Sequence, residues 1–273
     1  MKRELTVITF IYLVFILLLS LSGSLSGFLS EAVYYIAFLL PIAIGLWVVK
    51  NSEEKNADIG FKLTRSSAFA TVPIVFPVVF GIFLLSLGTS ALMNRFGFSG
   101  GMEITEPLPL ALLIHGLIPA LLEEALFRYI PLKLLLPYSK KWAVLLSSLF
   151  FALIHMNIFT IPYALFAGII FALTDICFGS VIPSFILHLA NNFLSLVFTE
   201  IAGEENLLLF LAALALASFV SLAVIIMKRD CYKGFFSPLF AKEAKEKVVT
   251  YTIAPAGVII LTLFIAVSNL FIK

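Results

Sequence analysis

Charged residues are scarce in this sequence. Aspartate, glutamate, lysine and arginine together make up 12% of its 273 residues, whereas hydrophobic residues make up 62% and the mean hydropathy is +1.12. An ordinary soluble domain has a charged fraction about twice as high. The composition therefore excludes a soluble domain and predicts a protein that crosses a membrane several times.

Several features on which other protein classes depend are also rare or missing. The two cysteines, Cys177 and Cys231, are too few for a disulfide framework. The only aspartates are Asp58, Asp175 and Asp230, which offer no catalytic aspartate pair within the membrane. The zinc-binding motif HExxH is absent. No motif marks a nucleophilic serine, and the related halves typical of many transporters are not visible.

Long apolar runs dominate the sequence instead. With about 20 apolar residues needed for each crossing, we predict membrane spans at residues 5–28, 31–49, 68–94, 108–136, 142–157, 160–178, 181–199, 207–227 and 252–271. The predicted fold is an all-α, polytopic integral membrane bundle of about eight to nine transmembrane helices. It forms a single domain over residues 1–273, because no repeat, low-complexity tract or linker divides the chain.

Basic residues between the predicted spans indicate how the chain lies in the membrane. They precede the first span and follow the second, fourth and eighth, at Lys2, Arg3, Lys50, Lys55, Lys62, Arg65, Lys133, Lys140, Lys141, Lys228, Arg229, Lys233, Lys242, Lys245 and Lys247. The opposite connections carry Glu103, Glu106, Glu200, Glu204 and Glu205. Because cytoplasmic loops are rich in lysine and arginine, we expect an integral protein of the cell membrane with a cytoplasmic N-terminus.

Three charged residues lie inside the fourth predicted span, at Glu123, Glu124 and Arg128. Each costs about 2.5 to 3.5 kcal/mol at the centre of a membrane helix, and the default explanation is a functional site. At about 100° per residue, Glu124 and Arg128 stand about 40° apart and one turn from each other, which predicts a structural ion pair. Glu123 points about 100° away from Glu124, so it needs another partner, for which the histidines are candidates.

Histidine and asparagine supply the other polar side chains of the predicted site. His155 lies toward the outer end of the fifth span. His188 lies in the seventh span and shares a helix face with Asn192, one turn further on. Counting about 1.5 Å per residue from the inner end of each span places Glu123 and these three residues at compatible depths. The sequence therefore allows a site buried within the membrane.

Two further polar residues are assigned structural positions. His115 matches no motif and is assigned to packing or to the outer mouth of the site. Asp175 ends the sixth span near the inner surface, where a charge costs little, and is assigned to the membrane boundary.

The polar residues of the predicted site support a specific chemistry. A carboxylate beside an imidazole can take a proton from water and direct the resulting hydroxide at a carbonyl carbon. A second imidazole and an amide N–H can donate to the oxyanion that forms. This set of groups suits hydrolysis of a peptide bond inside the membrane.

The order of these residues resembles that of a known family. The motifs EExxxR, FxxxH and HxxxN occur in this order on separate predicted spans, at Glu123, Glu124, Arg128, Phe151, His155, His188 and Asn192. The set is similar to that of the CAAX-protease and bacteriocin-processing family of intramembrane proteases, also called the CPBP or Abi family. The resemblance covers the core at residues 108–199, and the flanking spans carry no matching motif.

The resemblance implies a glutamate-dependent intramembrane endopeptidase without a cofactor. In such an enzyme Glu123 would activate water and His155 would help to position it. The other glutamate and the arginine of the first motif would support the site. His188 and Asn192 would form the oxyanion hole. The substrate would be a membrane-associated peptide or protein, and a prenylated tail is the family's best-known case.

Two alternatives stay open on the residues alone. Glu123, His155 and His188 could instead hold zinc, in a metal-dependent variant of the same protease. A catalytically silent scaffold or bacteriocin-immunity protein could also keep the motifs. The expected partners are the lipid bilayer and a peptide or protein substrate, lipidated or not, and no nucleic acid.

Overall fold

Helices account for most of the structure. The computed structural model describes residues 2–52, 57–62, 64–98, 106–199, 204–241 and 253–269. Within these residues nine helices are formed. They are α1 (Lys2–Gly23), α2 (Gly27–Lys50), α3 (Arg65–Arg95), α4 (Leu108–Leu135), α5 (Lys140–Leu153), α6 (Ile161–Phe178), α7 (Ile182–Val197), α8 (Leu207–Met227) and α9 (Ile253–Ser268). Each helix overlaps one predicted span, which confirms the all-α polytopic bundle.

Length and composition identify the helices that can cross a membrane. Six are long and apolar enough, namely α1, α2, α3, α4, α6 and α8. Helix α7 and the later part of α9 are apolar but shorter. Large apolar side chains also cover the outer surface, and on α8 Leu208 is 82% and Met227 83% exposed. Such a surface needs lipid around it, so the protein is an integral membrane protein.

Helix α4 lies at the centre of the bundle. It packs against α2, α5 and α7, while α3 packs against α6, α7 and α8, and α1 packs against α2 and α9. On the side of α4 that faces α1, the ring of Phe127 meets Phe15 edge-on, with 5.5 Å between the ring centroids. Tyr12 of α1 stacks on Phe150 of α5 at 4.4 Å. This aromatic core fixes α4, whose two glutamates face α7.

A tight turn joins α6 to α7 and sets where α7 begins. Gly179 ends α6 with a φ of +65°, a conformation that glycine adopts without strain. The segment after α2 crosses this turn, because Gly60 N–H donates to Gly179 O at 3.3 Å and Val181 N–H donates to Gly60 O at 3.0 Å. The backbone of Gly60 therefore connects the end of α6 to the residue that precedes α7.

Some residues that determine the predicted orientation lie outside the described residues. They are Lys55, Glu103, Glu200, Lys242, Lys245 and Lys247. The orientation of the chain in the membrane stays a prediction.

Candidate active site

The two glutamates lie on an interrupted helix. Within α4, π-helical turns at Leu112–Leu117 and Ala125–Tyr129 flank the α-helical stretch Ile118–Glu124. In a π turn each N–H bonds to the carbonyl five residues earlier, and such turns inside α-helices are frequent at functional sites. The second π turn changes the angular offset of every residue that follows Glu124. A uniform helical wheel therefore does not describe this helix.

His188 lies between the two glutamates. Its Nδ1 is 2.8 Å from Glu124 Oε1, and its Nε2 is 3.8 Å from Glu123 Oε2. The side chains are nearly buried, with 7% of His188, 4% of Glu124 and 13% of Glu123 exposed. The histidine partner that the sequence predicted for Glu123 is thus His188, and the same ring also contacts Glu124.

Arg128 forms the predicted ion pair with Glu124. Its Nε is 3.7 Å from Glu124 Oε2, and the arginine side chain is fully buried. Nη1 donates to the carbonyl oxygens of Phe127 at 2.9 Å and Ser147 at 3.2 Å. The guanidinium carbon also stacks over the ring of Phe151, 4.5 Å from its centroid. Charge, two hydrogen bonds and a cation–π contact offset part of the cost of burying the arginine, whose Nε and Nη2 have no hydrogen-bond partner among the described residues.

Small residues make room for the buried guanidinium. Gly168 of α6 faces Ser148 of α5, and a Cβ atom on Gly168 would lie 3.0 Å from Ser148 Cα. The same Cβ would lie 3.2 Å from Arg128 Nη2. Close approach of α5 and α6 at this glycine leaves the arginine a fitted space between the helices.

Asn192 approaches α4 one turn beyond His188. Its Nδ2 donates to Gly116 O at 3.3 Å, and Asn191 Nδ2 donates to Asn192 Oδ1 at 3.4 Å. A side chain on Gly116 would meet the ring of Phe193, with 2.7 Å to the nearest atom. Glycine at this position therefore lets α4 and α7 approach closely enough for the amide of Asn192 to reach the backbone of α4.

His155 lies at the rim of the site. Helix α5 ends at Leu153, several residues before the predicted end of the span, and the chain turns at Met156, whose φ is +47°. The exposed His155 ring approaches Phe151 O, with Nδ1 at 3.2 Å. The Phe151 ring lies 5.5 Å from the ring of His155 and 5.4 Å from that of His188. The two histidines thus flank Phe151, and only His188 is paired with Glu123 among the described contacts.

The arrangement does not group the residues that could serve as zinc ligands. Within the described parts of the chain, no set of three histidine, cysteine, aspartate or glutamate side chains converges as ligands of a metal ion. Glu123 and His188 face each other, but His155 approaches its own backbone. The residues as folded here therefore do not fit a zinc site.

Asp175, which the sequence assigns to the membrane boundary, is fully buried within the bundle. Its depth in the membrane stays a prediction. Its Oδ1 accepts a hydrogen bond from the backbone N–H of Ser184 at 2.9 Å, across the turn between α6 and α7. Ser184 lies one turn before His188 on the same helix. In the sequence, this burial is indicated only by the short distance from Asp175 to the HxxxN motif that begins at His188.

His115 forms a separate pair away from this cluster. Its Nε2 lies 3.5 Å from Glu106 Oε2, and 28% and 34% of the two side chains are exposed. The pair is separate from the cluster, and the assignment of His115 to packing or to the outer mouth stays a prediction.

Comparison with known proteins identifies the segment that carries the cluster. Residues 105–194 match the family of Type II CAAX prenyl endopeptidases described as Rce1-like. No match is found among curated proteins or among solved structures. The matched segment contains all three motifs and every contact of the cluster. At the level of the family the match supports a CAAX-type intramembrane endopeptidase, and it confirms the resemblance to the CAAX-protease family that the three motifs predict.

Proposed function

We propose that the protein is an intramembrane endopeptidase in which Glu123 activates the attacking water. The observation that carries this proposal is the position of His188, with Nδ1 2.8 Å from Glu124 and Nε2 3.8 Å from Glu123. An imidazole oriented by one carboxylate beside a second, more accessible carboxylate suits general acid–base catalysis. The family match supports the same class of reaction.

The two glutamates have different environments and, in this proposal, different roles. Glu124 hydrogen-bonds to the Nδ1 atom of His188 through Oε1, and its Oε2 faces the guanidinium of Arg128 at 3.7 Å. Glu123 has a longer contact with His188 and is the more exposed carboxylate. Its oxygens can therefore accept a proton from a water molecule. Glu124 orients His188 and fixes which ring nitrogen carries the proton shared with the carboxylate.

The oxyanion would be stabilised from α7. With Nδ1–H donated to Glu124, the Nε2 atom of His188 points toward the space beside Glu123, and in the imidazolium form it can donate there. The amide of Asn192 has two N–H groups, of which Gly116 O engages one. The second N–H is available to the substrate carbonyl. Donors aimed at the developing negative charge usually provide the largest share of the rate enhancement.

His155 would help to position water at the mouth of the site. It lies at the exposed end of α5, across the Phe151 ring from His188. No step of the proposed mechanism requires a metal ion.

The setting and the substrate class are part of the proposal. We infer one transmembrane domain over residues 1–273 in the cell membrane, with a cytoplasmic N-terminus and a functional core at residues 108–199. The bond cleaved belongs to a membrane-associated peptide or protein, because the site lies within an apolar bundle that only such a substrate can enter. A lipid group on the substrate is compatible with the apolar outer surface but is not required by the cluster.

The test is cleavage of a set of fluorogenic peptides, lipidated and unlipidated, by protein purified in detergent. Glu123→Gln keeps the size of the side chain but removes the base, and we expect kcat to fall by at least about 100-fold. Glu31→Gln is the matched control, because Glu31 is an exposed residue on α2. Unchanged cleavage by Glu123→Gln would refute the assigned role.

A strong zinc chelator distinguishes the metal-dependent alternative. We expect wild-type activity to survive the chelator. Loss of activity that zinc restores would show that Glu123, His155 and His188 rearrange to bind the ion. If folded wild-type protein cleaves none of the peptides, the catalytically silent scaffold is the better explanation.

A further inference from the structure

Asp175 has a buried carboxylate that takes no part in the proposed catalysis. This residue connects the end of α6 to the start of α7. Its backbone carbonyl accepts the N–H groups of Gly179 and Ser180, which ends α6. Its side-chain Oδ1 accepts the N–H of Ser184 at 2.9 Å, and Oδ2 is buried without a hydrogen-bond partner among the described residues. A fully buried, partly unpaired carboxylate is costly unless it has a role.

The first turn of α7 depends on this carboxylate. The first N–H groups of a helix have no partner within the helix. At the start of α7, Ile182 N–H donates to Ser180 Oγ at 3.2 Å. Pro183 has no N–H to satisfy. Phe185 N–H donates to Val181 O at 3.2 Å. The remaining N–H, that of Ser184, donates to Asp175.

The same turn is connected to the cluster. His188 follows Ser184 by one helical turn on the same face of α7. The Ser184 hydroxyl donates to Val181 O at 3.0 Å within this first turn. A shift of the first turn of α7 would therefore move His188 relative to Glu123 and Glu124, whose distances to the ring decide the proposed chemistry.

We propose that Asp175 is a positioning residue, whose Oδ1 holds the first turn of α7 and thereby keeps the ring of His188 between the two glutamates. The proposal rests on the proposed function for its effect on catalysis, but not for its effect on the position of His188. It requires the acceptor oxygen of Asp175 and not its negative charge.

Two isosteric substitutions separate the acceptor from the charge. Asp175→Asn keeps an oxygen that can accept from Ser184, whereas Asp175→Leu has a similar shape and no acceptor. We expect Asp175→Leu to lower kcat by roughly tenfold or more, while KM stays within about twofold of wild type. We expect Asp175→Asn to retain most of the wild-type activity. Thr174→Val is the control, because Thr174 is equally buried on the same helix and its hydroxyl donates to Ile170 O within α6. If the leucine variant does not fold, Asp175→Ala replaces it.

A second measurement reads the position of His188 without any substrate. The chain has three histidines, so the ring nitrogens of a protein labelled with ¹⁵N-histidine can be assigned by single His→Gln variants. Hydrogen bonding of Nδ1 to Glu124 sets the ¹⁵N shifts of the His188 ring. We expect these shifts to change in Asp175→Leu and to match wild type in Asp175→Asn and Thr174→Val.

The outcomes separate this inference from the proposed function. If Glu123→Gln is inactive but Asp175→Leu has wild-type kcat and wild-type His188 shifts, the function stands and the positioning role is refuted. If Asp175→Asn is as impaired as Asp175→Leu, the charge matters and the acceptor role is refuted. If no variant cleaves any peptide but only Asp175→Leu alters the His188 shifts, the positioning role stands and the peptidase proposal fails.

Discussion

At the scale of single residues, the pair formed by Glu124 and Arg128 compensates for two charges that a membrane interior disfavours. The Arg128 side chain is completely buried within the protein. Its partners are a carboxylate, backbone carbonyls and the Phe151 ring. Removing one member of a buried ion pair leaves the other charge without compensation. The pair therefore supports the cluster only while both members are present.

This dependence predicts the behaviour of Arg128→Met. The variant leaves Glu124 buried beside an apolar side chain, and we expect it to lose about 3 to 5 kcal/mol of stability together with its activity. In the double variant Glu124→Gln with Arg128→Met, most of the stability should return because no charge stays unpaired, but activity should not. Thermal unfolding in detergent measures both. A double variant less stable than Arg128→Met would contradict this account.

Asn192 gives a second prediction at this scale. If its free N–H donates to the oxyanion, Asn192→Ala should lower kcat by about 100- to 1,000-fold with little change in KM, because the interaction forms only in the transition state. Asn94→Ala, at an exposed position on α3, is the control. Steady-state kinetics with a cleaved peptide measures the effect. A rise in KM at constant kcat would instead assign Asn192 to substrate binding.

At the scale of helices, the site depends on how closely α5 and α6 approach each other. A Cβ atom on Gly168 would press against the backbone of Ser148 and against Arg128. We expect Gly168→Ala to cost about 1 to 3 kcal/mol through overpacking and to lower activity. Gly88→Ala on α3 is the matched control, since its Cβ meets no atom within 4 Å. Melting temperatures of the two variants test this, and equal values would refute the steric argument.

The helices themselves follow from the sequence, because bilayer thickness sets the length of an apolar run. Their ends follow less well. The fifth span is predicted to reach residue 157, but α5 stops at Leu153 because the chain turns sharply at Met156, with a φ of +47°. The π turn at Ala125–Tyr129 was also not predictable, since it arises without a proline or glycine within it. Local backbone geometry of this kind leaves no trace in hydropathy.

The motifs predicted which residues form the cluster but not every contact within it. A helical wheel assigns faces on one helix, whereas the partner of each face depends on how the helices pack. His188 meets both glutamates because α7 packs directly on α4. Asp175 is buried and reaches the start of α7, where its Oδ1 accepts the N–H of Ser184. A depth counted along one helix does not show which neighbouring helix a side chain faces.

At the scale of the whole molecule, the described surface is one that lipid must cover, but the structure alone does not say which end faces the cytoplasm. The distribution of basic residues predicts that the turn after α8, which contains Lys228, Arg229 and Lys233, is cytoplasmic. Cys231 lies in this turn and is exposed, so labelling of its thiol can report which side of the membrane the turn faces.

We therefore expect a membrane-impermeant maleimide to label Cys231 in inverted vesicles and not in intact cells. Cys177→Ser removes the other thiol, so that any label reports Cys231 alone. In a chain without native cysteines, Glu205→Cys should give the opposite pattern, because this exposed residue precedes α8 on the predicted outer side. Labelling of Cys231 in intact cells would show that the orientation is the reverse of the predicted one. The buried cluster would be unchanged, but its mouth at His155 would then open toward the cytoplasm, and a substrate tail would have to be cytoplasmic to reach it from that end.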